Sequence, residues 1–220
     1  LDPESLDAKV SEIAASGSLR PKAAIAVDLF GLPADYEAIA AVADARGLMV
    51  IADGAQSFGA DIEGHRVGAL APVTCLSFFP AKPLGCYGDG GALLTDDDLY
   101  AERFRSIRAH GKGAAKYEIE RVGLNARLDT IQAAILLAKF DAFPDELESR
   151  RRIAGRYESL WRQTVTTPIQ PNRANCAWAQ YSSLLDNRDA VAAALRDDGI
   201  PTAVYYPRPM HLQPAYQMYG

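Results

Sequence analysis

Several things are scarce in this chain. The 220 residues hold 3 cysteines (Cys75, Cys86 and Cys176), which are widely spaced and form no C-x-x-C pair. That spacing indicates neither a structural zinc site nor a disulfide framework, and the thiols read as reduced ones of a cytoplasmic protein. There is no Lys/Arg-rich run, and the formal net charge is −5, so nucleic acid and anionic membrane surfaces are not expected partners. No apolar stretch approaches the length of a membrane span. The opening Leu1–Asp2–Pro3–Glu4 is acidic, unlike a basic-then-apolar signal peptide. The 3 histidines stand apart, with no ligand cluster at His65 or His110, so no metal is expected. Internal repeats and low-complexity segments are also missing.

What remains is an ordinary globular composition, 49% hydrophobic with 17 Gly and 13 Pro. Short β-branched or aromatic stretches over Ala23–Val27, Leu48–Ala52, Val73–Phe79 and Ala92–Thr95 predict strands. Helical spacing predicts helices over Pro3–Ala15, Pro33–Arg46 and Asp97–Ala109. The unit from Ala23 to Ala52 reads as a βαβ crossover, hence parallel strands in an α/β fold. Beyond Asp129, an Ala/Leu-rich run from Thr130 to Phe143 meets Pro144 and continues as a charged stretch to Trp161. A long bent helix joining two domains fits this order, with residues 1–143 as a large domain and 144–220 as a linking helix and partial small domain. A strand over Ala177–Leu185 and a helix over Arg188–Asp198 would follow. The chain starts at Leu1 and stops at Gly220, just past an aromatic-rich segment, and is expected to be a fragment.

Three segments lie where α/β folds keep their chemistry, at the carboxyl ends of parallel strands. They are Ile51–Ala52–Asp53–Gly54–Ala55–Gln56, then Ser77–Phe78–Phe79–Pro80–Ala81–Lys82, then Gly85–Cys86–Tyr87–Gly88–Asp89–Gly90–Gly91. Each has an ordinary explanation. Asp53 can cap a helix, Ser77 can cap a turn, Gln56 can bond backbone, and Lys82 can be a solvated charge. The glycine cluster leads into a strand, so it is neither a dinucleotide fingerprint nor a P-loop. Arg127 and Asp129 can pair on the surface, Arg150 to Arg152 read as a solvated helix face, and Tyr205 and Tyr206 as packing.

Together these segments resemble the DegT/DnrJ/EryC1/StrS family of sugar aminotransferases. The likeness also runs through Val27–Asp28–Leu29–Phe30–Gly31, Arg108–Ala109–His110–Gly111, Gly123–Leu124–Asn125–Ala126–Arg127–Leu128–Asp129 and Tyr206–Pro207–Arg208–Pro209–Met210–His211–Leu212–Gln213. The resemblance implies an aspartate-aminotransferase-like fold (PLP fold type I), with a mostly parallel mixed sheet in the large domain and part of a small α/β C-terminal domain. It implies pyridoxal 5'-phosphate as cofactor, with Lys82 as its Schiff-base residue and proton carrier. Asp53 would pair with the pyridine nitrogen, Gln56 would lie beside the ring, and Ser77 would donate to the phosphate. Asn125 would reach the phosphate of a neighbouring subunit, so a homodimer with a shared active site follows. Arg127 and His211 would meet the nucleotide-sugar substrate. The amino donor would be glutamate, and the Lys82–Pro83–Leu84–Gly85 variant is similar to the branch that aminates UDP-linked 3-keto-hexuronic acids for cell-surface polysaccharide. The family's phosphate-binding Gly-Thr or Gly-Ser turn and ring-stacking aromatic have no counterpart in these residues. Two alternatives stand beside this reading: a catalytically incompetent fragment or non-catalytic binding or regulatory protein on the same scaffold, and a sugar dehydratase. Dehydratases of this type carry His where Lys82 stands.

Overall fold

Local signals set most element boundaries in the computed structural model, which describes residues 1–115 and 117–219. Helix α1 (Pro3–Ser16) has Pro in its first turn, where a missing N–H costs no hydrogen bond, and Asp2 accepts the Ser5 amide at 2.7 Å. Strand β1 (Ala23–Val27) is followed by a 3-10 turn over Leu29–Gly31. Helix α2 (Tyr36–Arg46) starts later than the expected Pro33. Asp35 is the residue that caps it, accepting the Ala38 amide at 3.3 Å. It stops at Gly47, whose φ of 64° suits a residue without Cβ.

Strands β2 (Met49–Asp53), β3 (Asp61–Ile62), β4 (His65–Arg66), β5 (Val73–Ser77) and β6 (Gly91–Leu94) come next. β1 runs parallel to β2, with Val27 opposite Asp53, and β5 lies parallel on the other side of β2, with Asp53 opposite Cys75. β6 returns antiparallel to β5, with Ser77 opposite Gly91. The sheet order is therefore β1-β2-β5-β6, and the expected βαβ crossover is present.

Alternation along the strands divides the sheet into two faces. Ala26, Val50 and Ala52 are buried with Tyr36, Ile39 and Ala43 of α2 and Val10 of α1. Leu76 is buried in a second cluster with Leu84 and Cys86. Burial of this kind is the main driving force for the fold, about 25 cal/mol per Å² of apolar surface. The other face leaves Ile25, Val27 and Leu93 open, at 62%, 38% and 49% exposure.

Helix α3 (Asp98–Ile107) is capped by Asp97, which accepts the Leu99 and Tyr100 amides. The expected single bent helix is two helices, α4 (Thr130–Phe140) and α5 (Phe143–Trp161). Pro144 lies in the first turn of α5, where its ring and missing N–H are tolerated. Leu136 of α4 and Phe143 and Leu147 of α5 join the Leu76 cluster. Arg150 is not part of a solvated face, since its guanidinium donates to the Trp178 carbonyl at 3.1 Å. Strand β7 (Ala174–Asn175) pairs with β3 in a three-stranded sheet, β4-β3-β7. The strand expected over Ala177–Leu185 does not form. The Ala177 and Ala179 amides donate instead to the Gly31 and Phe30 carbonyls, both at 2.9 Å.

These elements form one compact unit, Leu1–Arg156 with Ile169–Tyr181. A second unit comprises Tyr157–Pro168 and Ser182 onward. It contains helix α6 (Arg188–Asp197), a bridge between Thr166 and Leu184, and a Tyr157–Trp161 ring stack at 4.5 Å. Tyr205 and Tyr206 are both exposed there, their rings meeting edge-on at 5.5 Å.

Candidate active site

Parallel strands deliver their C-terminal residues to one edge of a sheet, so β1, β2 and β5 bring Asp28, Asp53 and Ser77 to the same edge. Asp53 and Ser77 also share a face, because Asp53 is opposite Cys75 and Ser77 follows two residues later. Asp53 is half-buried, and one of its oxygens accepts the Ala55 amide at 3.1 Å. Gln56 is buried. Its Oε1 accepts the amide of Phe30 at 2.6 Å, a residue held at φ 61°. The turn after β2 is thereby tied to the turn after β1.

A second tie runs through Asp28, which is fully buried. Its carboxylate accepts from Tyr36 Oη at 2.6 Å, Ser57 Oγ at 2.6 Å and the Ala34 amide at 2.9 Å. Burial pushes this carboxyl above the ordinary range. The hydrogen bonds from Ser57, Tyr36 and Ala34 pull it back, and the negative charge of Asp53 adds to the rise. Burial and the neighbouring Asp28 likewise push the Tyr36 hydroxyl far up, so it remains a donor. Asp28 appears in the sequence without an obvious role. An acid directly after a strand, with Tyr and Ser in the two flanking turns, is the only local signal it gives.

The loop between β5 and β6 carries Lys82. It leaves and re-enters the sheet at one point, where the Phe78 amide donates to the Gly90 carbonyl at 2.7 Å. The Lys82 amide closes a turn onto the Phe79 carbonyl, and the Cys86 amide donates to the Phe78 carbonyl, both at 2.9 Å. Cys86 Sγ, fully buried, lies 2.9 Å from that same carbonyl and 3.0 Å from the Gly88 carbonyl. Gly85 must be glycine here, because a Cβ would stand 2.6 Å from the Pro80 carbonyl oxygen. Ser77 Oγ accepts the Phe79 amide at 3.3 Å, which leaves its own hydrogen available. Lys82 is half-buried, and among the described residues its ammonium has no hydrogen-bond or ion-pair partner.

Asn125 and Arg127 form a pair of their own. Asn125 bridges to Ala109, and the Ala126 amide donates to the Arg108 carbonyl at 3.0 Å. The Arg127 guanidinium grips Asn125 Oδ1 through Nε at 3.0 Å and Nη2 at 2.7 Å, so the surface pair of Arg127 with Asp129 is not made. Both side chains are exposed and line a depression of about 540 Å³ with Leu128, Asp129 and Thr130. His211 lies exposed in the 3-10 turn Met210–Leu212, within the second unit. Among the described residues no group of three or more His, Cys, Asp or Glu could hold a metal, and no helix is long and apolar enough to cross a membrane.

The model of the DegT/DnrJ/EryC1/StrS aminotransferase family matches residues 1–220. The chain belongs to that family. It is 47% identical over 216 residues to the UDP-2-acetamido-2-deoxy-3-oxo-D-glucuronate aminotransferase of Pseudomonas aeruginosa, covering 98% of this chain and 58% of that protein. It is 42% identical to a pleiotropic regulatory protein of Geobacillus stearothermophilus, covering 100% of this chain and 60% of the relative. Among solved structures, a DegT DnrJ EryC1 StrS aminotransferase from Brucella abortus superposes with a TM-score of 0.97 at 48% identity, over 100% of this chain and 59% of the other. DesV of S. venezuelae, solved in complex with a ketimine intermediate, gives a TM-score of 0.91 at 36% identity, over 100% and 57%. The fold is therefore the aspartate-aminotransferase-like α/β type. The chain spans about three-fifths of the length of the curated relatives it matches.

Proposed function

We propose that the whole protein is a pyridoxal 5'-phosphate-dependent transaminase that moves an amino group, from glutamate, onto a keto-sugar nucleotide. The observation that carries this reading is Lys82: a half-buried amine without a partner among the described residues, on the loop that directly follows β5. Asp53 and Ser77 share one sheet face at the same edge. The donor set fits the cofactor, with an acid for the ring nitrogen, a hydroxyl with a free hydrogen for a phosphate oxygen, and a primary amine for the carbonyl.

When bound, the cofactor supplies an electrophilic carbonyl carbon and a ring that accepts electrons. Asp53 would keep the ring nitrogen protonated by its negative charge, and the Ala55 amide and the Gln56–Phe30 tie fix the turn from which it would act. Gln56 would lie on the ring side of the site, and Ser77 Oγ would donate to the phosphate. Lys82 Nζ would be the amine that holds the cofactor, and as a free amine would take and return a proton at the substrate's amine-bearing carbon. Asn125 would donate from its amide nitrogen to the phosphate in a second copy of the chain, since its Oδ1 is already engaged by Arg127. Arg127 retains donors for a carboxylate, which suits a UDP-linked 3-keto-hexuronic acid. The 47% identity to the Pseudomonas aeruginosa enzyme supports that choice of substrate. His211, in the second unit, would serve the nucleotide sugar. Residues 1–143 would act as the cofactor domain and 144–220 as linker and small domain.

A homodimer with a shared site fits the outward face of α4, which follows Asn125 and Arg127 directly. Its Ile131 and Leu137 are 73% and 72% exposed. Large apolar residues of a helix left open to water are a usual mark of a covered interface. The deciding experiment is borohydride reduction of the cofactor-loaded, full-length protein followed by peptide mapping. The expected product is a pyridoxyl group on Lys82, absent in Lys82→Ala together with turnover. A pyridoxyl group on any other residue refutes the assignment.

A further inference from the structure

The loop that carries Lys82 is tied internally near its base, through Phe78, Cys86 and Gly90, but its outer part has fewer constraints. It contains Gly85, Gly88 and Gly90, and its Tyr87 side chain is 76% exposed. Its backbone is nevertheless gripped from outside. Gln132 Oε1 accepts the Tyr87 amide at 2.9 Å, and Lys139 Nζ donates to the Gly85 carbonyl at 2.5 Å and lies 5.9 Å from the centre of the Tyr87 ring. Among the described residues, these are the only side chains from beyond the β5–β6 segment that hydrogen-bond the loop backbone. Both stand on α4, seven positions apart, and so project from one side of it. Gly88 belongs to the same fit, since a Cβ there would lie 3.1 Å from Gln132 Nε2.

Lys139 is half-buried, and among the described residues no carboxylate pairs with it. An apolar residue at this position would pack without the entropy and desolvation cost of a lysine. What the lysine adds is a charged donor for the carbonyl of a buried glycine, which is stronger than a neutral one. The grip passes to Lys82 through the close contact of Gly85 with the Phe79 and Pro80 carbonyls and through the turn closed by the Lys82 amide.

We propose that Gln132 and Lys139 are positioning residues for Lys82, holding from α4 the loop that aims its amine. The inference rests on the role of Lys82 given above. Two measurements on the full-length protein test it. The first is amide hydrogen exchange without cofactor. Tyr87 is protected in the wild type and in Gln132→Glu, which keeps an acceptor oxygen, and loses protection in Gln132→Leu. The second is the rate of borohydride-trapped pyridoxyl formation at Lys82 as a function of pyridoxal phosphate concentration. Gln132→Leu and Lys139→Met each lower the saturating rate about 10-fold, while the half-saturating concentration changes less than about 2-fold. Gln132→Glu and Lys139→Arg stay within about 2-fold of wild type in both. A purely structural role would not give this split or the rescue by the conservative variants. Faster Tyr87 exchange with an unchanged saturating rate at Lys82 overturns the proposal alone. A wild type that forms no Lys82 adduct overturns the role of Lys82, and the proposal with it.

Discussion

Removing the Asp28 carboxylate should cost more stability than most single substitutions, and the structure says why. In Asp28→Ala the hydroxyl of Tyr36, the hydroxyl of Ser57 and the amide of Ala34 all lose their acceptor inside the core. Ser57 has a fallback, the Gly54 carbonyl at 3.4 Å. The other two donors are stranded, and each buried unsatisfied group costs about 1–3 kcal/mol, which gives a total of about 3–6 kcal/mol with the weakened Ser57 contact. Asp28→Asn behaves differently. Its Oδ1 still accepts from Ala34 and Tyr36, and Ser57 can turn its hydrogen to Gly54 and accept from Nδ2, so the cost is about 1 kcal/mol. Urea unfolding of the full-length variants, followed by circular dichroism, measures both values. The pH dependence is a second arm. The native Asp28 carboxyl is raised, chiefly by burial, above the unfolded value of about 3.9. Between the two values the native state holds a proton that the unfolded state has lost. This contribution is therefore greatest below the unfolded pKa and is lost as pH rises through the native one. Asparagine does not titrate, so the deficit of Asp28→Asn should shrink as pH rises across that window. An Ala variant within about 1 kcal/mol of wild type, or an Asn deficit that grows with pH, would refute the reasoning.

Two further outcomes follow from the same region. Gly31→Ala should destabilise by about 3 kcal/mol or more, because the residue sits at φ 101° and a Cβ would lie 2.8 Å from the Trp178 amide nitrogen and 2.9 Å from that of Ala179. A denaturation midpoint equal to that of wild type would show that the 177–179 backbone yields easily. Cys176, whose thiol burial pushes up to about 11, should stay unlabelled by a thiolate-specific reagent at pH 8 in the native protein and react at once in denaturant. Equal labelling rates in the two states would contradict its burial.

The crossover from β1 through α2 to β2 was legible because each part is local: short β-branched strands, apolar residues at helical spacing, and a glycine stop, although the cap at Asp35 moved the helix start past the expected Pro33. Asp53, Ser77 and Lys82 could be picked out for a similar reason, since strand ends are readable and the family pattern falls on them. What could not be read was mostly long-range. Ala177 to Leu185 has a strand-like composition, but its first amides answer to carbonyls at Phe30 and Gly31. The contacts of Gln132 with Tyr87 and of Lys139 with Gly85 join residues with no fixed spacing between them. Arg127 shows a smaller failure. Asp129 was the obvious charge partner by proximity and shares the alternation of positions 125 and 127, yet the guanidinium takes the neutral amide of Asn125. The break between α4 and α5 is a question of proline placement. Pro144 suits the first turn of a new helix better than the middle of an old one.

The antiparallel return of β6 bears on how such a centre can diversify. The loop holding Lys82 begins and ends at the Phe78–Gly90 hydrogen bond, and among the described residues its other outside ties run to α4 rather than to β1 or β2. Exposed residues between those two points, Tyr87 among them, can be exchanged without touching the register of β1 against β2 or of β2 against β5, whereas Leu84, Gly85 and Cys86 are fixed by packing. Asp53 is thus insulated from change around Lys82. The approach to the amine and the seat of the acid form separable modules, so new clients can be recruited by redrawing the loop while the sheet-borne acid stays where it is.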